Sequence, residues 1–270
     1  MRGKAVLMRT VAVVAFMIVL LGCTWRVGEA GEQKEVIRLV HILSFEPFAT
    51  VKDGKSEGLA IDILTAVFAR ANLKVVFIGE QQENVEELLF KGEADGLAFF
   101  GINPARKNTF DFSDPYLISG GALFTTAPGV PRSDLKELEG KRVATPLKGP
   151  LADYIRKNFP KVYLYTDVKD YQATLEAVLD GKAEAAALNT QAGAVLAESL
   201  FPGKFTLPSK GFLEVPIGIA VLKGKRDAQL KIFNEGLKAV LVDGTYDSII
   251  AKWKVPATTK PLMSDPPRTE

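Results

Sequence analysis

Only one cysteine and one histidine stand among 270 residues. With a single thiol no intramolecular disulfide can form, and Cys23 and His41 are too few to assemble a Cys/His metal site, so neither transition-metal chemistry nor a resident cofactor is expected. A Ser-His-acid triad would rest on His41, yet that residue sits inside the apolar run 36–42 and no G-x-S-x-G elbow occurs. Neither G-x-G-x-x-G nor G-x-x-x-x-G-K-[ST] is present, which leaves nucleotide chemistry without a phosphate cradle. An excess of one charge is missing too. The formal net charge is +2, and without Arg2, Lys4 and Arg9 of the first 22 residues, 31 bases face 32 acids. A nucleic-acid partner is therefore excluded, because phosphate binding needs a clustered basic excess. What is present is 47% apolar and 24% charged side chains, the balance of a folded chain with one large or two modest domains.

The first 22 residues form a targeting signal: a basic start, then the apolar run Thr10 to Leu21, too short for a membrane span of about 20 residues. The string Leu20-Leu21-Gly22-Cys23 resembles a bacterial lipobox, in which the cysteine is lipidated at Cys23 and becomes the new N-terminus. Residues 23–35 then read as a lipid-attached tether that holds the protein to a bacterial membrane, on the periplasmic or cell-surface side. At the other end, residues 256–270 carry Pro256, Pro261, Pro266 and Pro267 and are expected to form a flexible tail.

Between these ends, short β-rich runs alternate with helical periodicities. Strands are expected at 36–42, 75–78 and 95–100. One helix, over 58–72, shows Ile61, Leu64, Val67 and Phe68 on one stripe; a second begins at Asn84 and stops at Gly92. The pattern recurs: strands at 142–146, 162–165 and 184–188, with helices at 150–158 and 170–179. The run Leu89-Phe90-Lys91-Gly92-Glu93-Ala94-Asp95 parallels Leu179-Asp180-Gly181-Lys182-Ala183-Glu184. Matching five-element units argue for an α/β protein of two similar lobes, each a mainly parallel sheet flanked by helices. A strand at 216–223 and helices bearing Leu230, Phe233, Leu237, Ile250 and Trp253 need a lobe to cover. Residues 36–118 and 215–255 are assigned to lobe 1 and 119–214 to lobe 2, joined by a two-crossing hinge beside a common cleft.

Several segments carry a resemblance. Ser44-Phe45-Glu46-Pro47-Phe48, Gly58-Leu59-Ala60-Ile61-Asp62-Ile63, Lys91-Gly92-Glu93-Ala94-Asp95, Pro104-Ala105-Arg106 and Phe110-Asp111-Phe112-Ser113-Asp114-Pro115-Tyr116 resemble, in order and spacing, the family 3 bacterial extracellular solute-binding proteins. Leu138 to Val143, Asp243-Gly244-Thr245-Tyr246 and Trp253 agree, so the resemblance covers residues 36 to 254. It implies the two-lobed periplasmic-binding-protein-like fold of type II and the substrate-binding component of an ABC-type importer. Such a protein is a monomer that closes on a small anionic or zwitterionic solute, usually an amino acid, and hands it to a membrane permease.

Arg106 matches the arginine that grips a ligand carboxylate, a task suited to a planar fork of donors. Phe45 matches an aromatic wall of the site, and Asn103 a position of hydrogen-bond donation. Asp62, Asp114, Pro115 and Tyr116 read as structure. The departures fall elsewhere. Asn189 stands where an aspartate usually holds the ligand ammonium. Lys148-Gly149-Pro150 replaces a hydroxyl-bearing step at the first helix of the second lobe, with Lys148 and Gly149 still placed to favour an anion. Phe99, Phe100 and Gly101 occupy positions of small or hydroxylated residues and forecast an apolar cleft. Glu46 or Glu214 would be the substitutes for the missing aspartate. An enzymatic reading also stands, in which the chain resembles cyclohexadienyl (prephenate/arogenate) dehydratases with Glu46, Glu184 or Glu214 as the acid. A third reading is a freestanding sensory receptor lobe.

Overall fold

The computed structural model describes residues 36–147 and 150–261. The signal at 1–22, the tether with Cys23, and Lys148 and Gly149 lie outside the described residues. No described helix is long and apolar enough to cross a membrane.

Strand β1 (Val36–Ile42) has a nearly unbroken buried centre and is flanked on both sides by parallel partners, β5 (Lys74–Glu80) and β6 (Gly96–Gly101). Such connections need crossover helices. The first is α1 (Leu59–Arg70), which buries Leu59, Ile63, Leu64, Val67 and Phe68; the second is α2 (Val85–Phe90), which buries Leu89. Asn84 precedes α2 without capping it through its side chain, which donates instead to Glu80 Oε1 at 3.3 Å. A small antiparallel sheet of β2 (Ser44–Phe45), β3 (Ala49–Lys52) and β4 (Lys55–Glu57) fills the β1–α1 connection. His41 packs beneath it: Nδ1 lies 2.8 Å from the Ile42 carbonyl and Nε2 2.7 Å from Ser56 Oγ.

The second parallel set has β9 (Arg142–Ala144) between β10 (Tyr163–Tyr165) and β11 (Ala185–Asn189), with helices α3 (Pro150–Asn158), α4 (Tyr171–Leu179) and α5 (Thr190–Leu200). The two Gly-containing turns compared in the sequence are equivalent here. Gly92 and Gly181 follow α2 and α4 at φ 74° and 69°, the left-handed stop that releases the chain into a strand. Asp95 N–H then donates to the Arg38 carbonyl, and Glu184 N–H to that of Arg142, each at 2.8 Å.

Two ten-residue strands join the sets, β8 (Leu117–Thr126) and β13 (Leu213–Leu222). They pair antiparallel, Leu117 to Gly121 against Ile217 to Leu213. Beyond this ladder β8 continues onto β11, and β13 onto β6 and β7 (Phe110–Phe112); β12 (Phe205–Thr206) adds to β8. The sheet is therefore one path, β10-β9-β11-β8-β13-β6-β1-β5. Within the ladder Gly120, opposite Glu214, has φ 132°, and a Cβ there would sit 1.9 Å from the Leu213 carbonyl oxygen.

After β13 come α6 (Asp227–Val242) and α7 (Thr245–Trp253), whose Phe233, Leu237, Val240 and Tyr246 enter one core with Leu39, Leu64 and Phe68. Asp62 holds this end, accepting from Lys252 Nζ at 2.7 Å and Trp253 Nε1 at 2.8 Å. Separate cores form around Phe124, Leu175, Leu188 and Phe205, and around Leu123, Val143 and Ile155. Of the tail expected to be flexible, residues 256–261 are described and pack against the fold, and 262–270 lie outside the described residues. Ala257–Thr259 make a 3-10 turn, and Thr259 is fully buried against Gln191 and Tyr246 because its hydroxyl and carbonyl have partners there.

Candidate functional site

Parallel strands carry their carboxyl ends and the following helix starts to one edge, where ligands of open α/β sheets bind. At that edge of the second lobe lies a cavity of about 430 Å³. The ends of β9 and β11 supply Thr145, Pro146, Ala187 and Asn189, and the starts of α3 and α4 supply Pro150, Leu151, Ala152 and Tyr171. The crossing strands close it with Ser119, Gly120, Leu213, Val215 and Ile217, and Phe45 reaches it from the first lobe. The volume suits a small molecule. No charged side chain occurs among the described lining residues.

The polar groups are tied into the fold. Asn189 is the N-cap of α5: its Oδ1 accepts from Gln191 N at 3.1 Å and Ala192 N at 3.0 Å. Its Nδ2 donates to Ser119 Oγ at 3.1 Å, and Ser119 donates onward to Gln191 Oε1 at 3.1 Å. Gln191, fully buried, spends its Nε2 on the Ile118 carbonyl at 2.7 Å and Thr259 Oγ1 at 3.0 Å. The Tyr171 hydroxyl accepts from Asn189 N at 3.4 Å. Burial raises the Tyr171 pKa, so the hydroxyl keeps its proton at neutral pH.

Of the residues expected to bind ligand, the structure brings Phe45 and Asn189 to the cavity. Arg106 is not in the lining. Its Nη1 donates to the Gly101 carbonyl at 2.8 Å, and its guanidinium carbon lies 3.8 Å from the Phe100 ring centroid. No described carboxylate pairs with it. It nevertheless flanks the wall, because a Cβ on Gly101 would lie 3.1 Å from Arg106 Nη1 and 3.2 Å from Val215 Cγ1. Asn103 is exposed, and its Oδ1 accepts from Arg106 N at 2.9 Å, fastening the turn instead of reaching the cavity.

Phe99 stands behind Phe45 and Phe48, with ring centroids 5.5 and 4.6 Å away, and Phe100 faces Phe110 and Phe112. The cavity is apolar as forecast, but through Pro146, Leu151, Leu213, Val215 and Ile217, not through Phe99, Phe100 and Gly101. Glu46, Glu184 and Glu214 are exposed and outside the lining, so none occupies the place of a missing aspartate or of a cavity acid. Ser119, Thr145 and Tyr171 were not singled out from the sequence. Tyr171 follows the readable cap Asp170, whose Oδ1 accepts from Ala173 N at 2.8 Å, but nothing local says that this helix start faces a cavity.

Two lobes joined by a paired crossing, with a small-molecule cavity at the junction, define a solute-binding protein. Residues 37–256 match the bacterial extracellular solute-binding proteins, family 3, and the chain belongs to that family. It is 28% identical over 240 residues to the probable histidine-binding protein of Neisseria gonorrhoeae, covering 83% of this chain and 85% of that one. It is 26% identical over 226 residues to the virulence sensor protein BvgS of Bordetella bronchiseptica, where the match takes in 81% of this chain but 18% of the sensor. The crystal structure of the L-cystine solute receptor of Neisseria gonorrhoeae, in its unliganded open conformation, superposes with a TM-score of 0.73 at 21% identity, over 85% of this chain and 96% of that one. At that identity the likeness is one of fold.

Proposed function

We propose that this protein is the extracytoplasmic substrate-binding component of an ABC-type importer, lipid-anchored through Cys23, acting as a monomer without a cofactor. It captures a small carboxylate-bearing solute by lobe closure and delivers it to a membrane permease. The observation that carries this reading is the cavity at the crossing, lined from both lobes, with a guanidinium beside its wall that meets a carbonyl and no carboxylate among the described residues. A solute that touches Phe45 on one side and Asn189 on the other favours the closed state by its differential contacts. Arg106 reaches the carboxylate by leaving its carbonyl partner, exchanging a neutral acceptor for a charged one. The absence of acids from the described lining supports a binding role over a dehydratase.

The test is isothermal titration calorimetry after a thermal-shift screen over amino acids, dicarboxylates and aromatic carboxylates. Arg106→Ala is expected to weaken the best solute more than 10-fold with an unchanged circular dichroism spectrum; unchanged affinity removes Arg106 from the site. The similarity to BvgS favours a second reading, a freestanding sensory receptor. Solute uptake by cells with and without the gene separates the two, since only the importer component is needed for uptake.

A further inference from the structure

Ligand choice in the cavity follows from a count of its donors and acceptors, and this step rests on the solute-binding reading. Among the described residues the polar side chains lining it are Ser119, Thr145, Tyr171 and Asn189, with no Asp or Glu. Its amide acceptor is taken. Both lone-pair positions of Asn189 Oδ1 are filled by Gln191 N and Ala192 N, and Ser119 Oγ is held between Asn189 Nδ2 and Gln191 Oε1. What the side chains leave for an ammonium is neutral: the Thr145 hydroxyl and a second lone pair each on Ser119 Oγ and the Tyr171 hydroxyl, with no carboxylate among the described lining residues.

Donors are left over instead. The Tyr171 hydroxyl receives a hydrogen bond from Asn189 N, and its own proton meets no acceptor among the described residues; Asn189 Nδ2 has a second N–H beyond the one given to Ser119. An ammonium drawn into this space would lose its water without gaining a counter-charge, a costly way to bury a charge. A carboxylate meets N–H and O–H donors inside the cavity and the Arg106 guanidinium at its wall, and an apolar body meets Pro146, Leu151, Leu213, Val215 and Ile217. We infer that the cavity selects carboxylates that have an apolar body and lack an ammonium group, the deaminated counterparts of apolar amino acids, and that Asn189 is the residue setting this preference.

Matched pairs test this by calorimetry on the purified chain: 3-phenylpropanoate against L-phenylalanine, and 4-methylpentanoate against L-leucine. In at least one pair the deaminated acid is expected to bind at least 10-fold tighter than its amino acid. Asn189→Asp keeps a residue able to cap α5 and introduces a carboxylate; it is expected to narrow or invert that ratio by at least 10-fold, with folding checked by circular dichroism. Binding of the amino acids as tightly as, or more tightly than, their partners overturns the preference and leaves solute binding standing. An unchanged ratio in a folded Asn189→Asp protein removes Asn189 from the selection. Should no probe of either pair, and no member of the wider screen, bind at all, the inference and the solute-binding reading fall together.

Discussion

Substituting Gln191→Leu removes a side chain that is wholly out of solvent and holds three parts of the chain at once. Its Nε2 serves the Ile118 carbonyl in the crossing strand and the Thr259 hydroxyl in the C-terminal turn, and its Oε1 receives Ser119. Leucine fills similar space but strands the fully buried Thr259 hydroxyl and the partly buried Ile118 carbonyl, while Ser119 can turn to another partner. Each stranded group costs about 1–3 kcal/mol, and the added apolar burial returns about 1 kcal/mol, so a net loss of about 1–5 kcal/mol is expected. For a domain of this size that corresponds to a fall in Tm of roughly 2–20 °C. The assay is urea denaturation followed by far-UV circular dichroism, with Gln172→Leu as the control, because Gln172 is exposed on α4 and bonds only Glu176 Oε1 at 3.0 Å. The control is expected to stay within about 0.5 kcal/mol of the parent. If Gln191→Leu is no less stable than the control, the buried network does not hold the C-terminal turn to the crossing and the reasoning fails.

Gly120→Ala is expected to cost about 2–4 kcal/mol, from backbone strain at φ 132° and from displacement of the Leu213 carbonyl; equal stability in urea would show that the crossing is not closely packed there. His41, the sole histidine, gives one imidazole resonance in an NMR titration, and its midpoint is expected below the ordinary 6.5 because burial disfavours the charged ring, more than the Ile42 carbonyl favours it. The sign follows: the unfolded chain takes the proton first, so this contribution to stability is complete above about pH 6.5 and declines as the pH falls below it. A midpoint at or above 6.5 would contradict the buried, neutral ring.

Strand and helix alternation was legible wherever an apolar period was clean, as in Val36–Ile42, Leu59–Arg70 and the two matched glycine stops. Helix α5 was not. Its stretch Thr190-Gln191-Ala192-Gly193-Ala194 is small and polar, with a glycine in mid-helix, and the reason is tertiary: a Cβ on Gly193 would come within 2.6 Å of the Phe124 ring. Without that helix, Asn189 was seen as a ligand partner, when it is also a cap. The antiparallel sense of β8 and β13 was hidden because nothing local fixes a long-range pairing. For Arg106 the residue type and its place after Pro104 were readable, but the stacking on Phe100 depends on which face of β6 that ring takes. The polar tail misled because proline content alone does not report the buried partners waiting at Gln191 and Tyr246.

The paired crossing of β8 and β13 has a mechanical meaning. Five rungs of cross-strand pairing make a two-strand ribbon, stiff against stretching and against sideways bending within its own plane, and compliant only where it can curl or twist out of that plane. Such a spine lets the halves swing like the covers of a book and resists sliding them past one another. In the closure proposed for this protein, the direction of travel would then be set by the backbone and not by the guest. Lining side chains off the ribbon, such as Leu151 and Tyr171, can be exchanged to suit a different guest without touching that spine, whereas Ser119, Gly120, Leu213, Val215 and Ile217 belong to both.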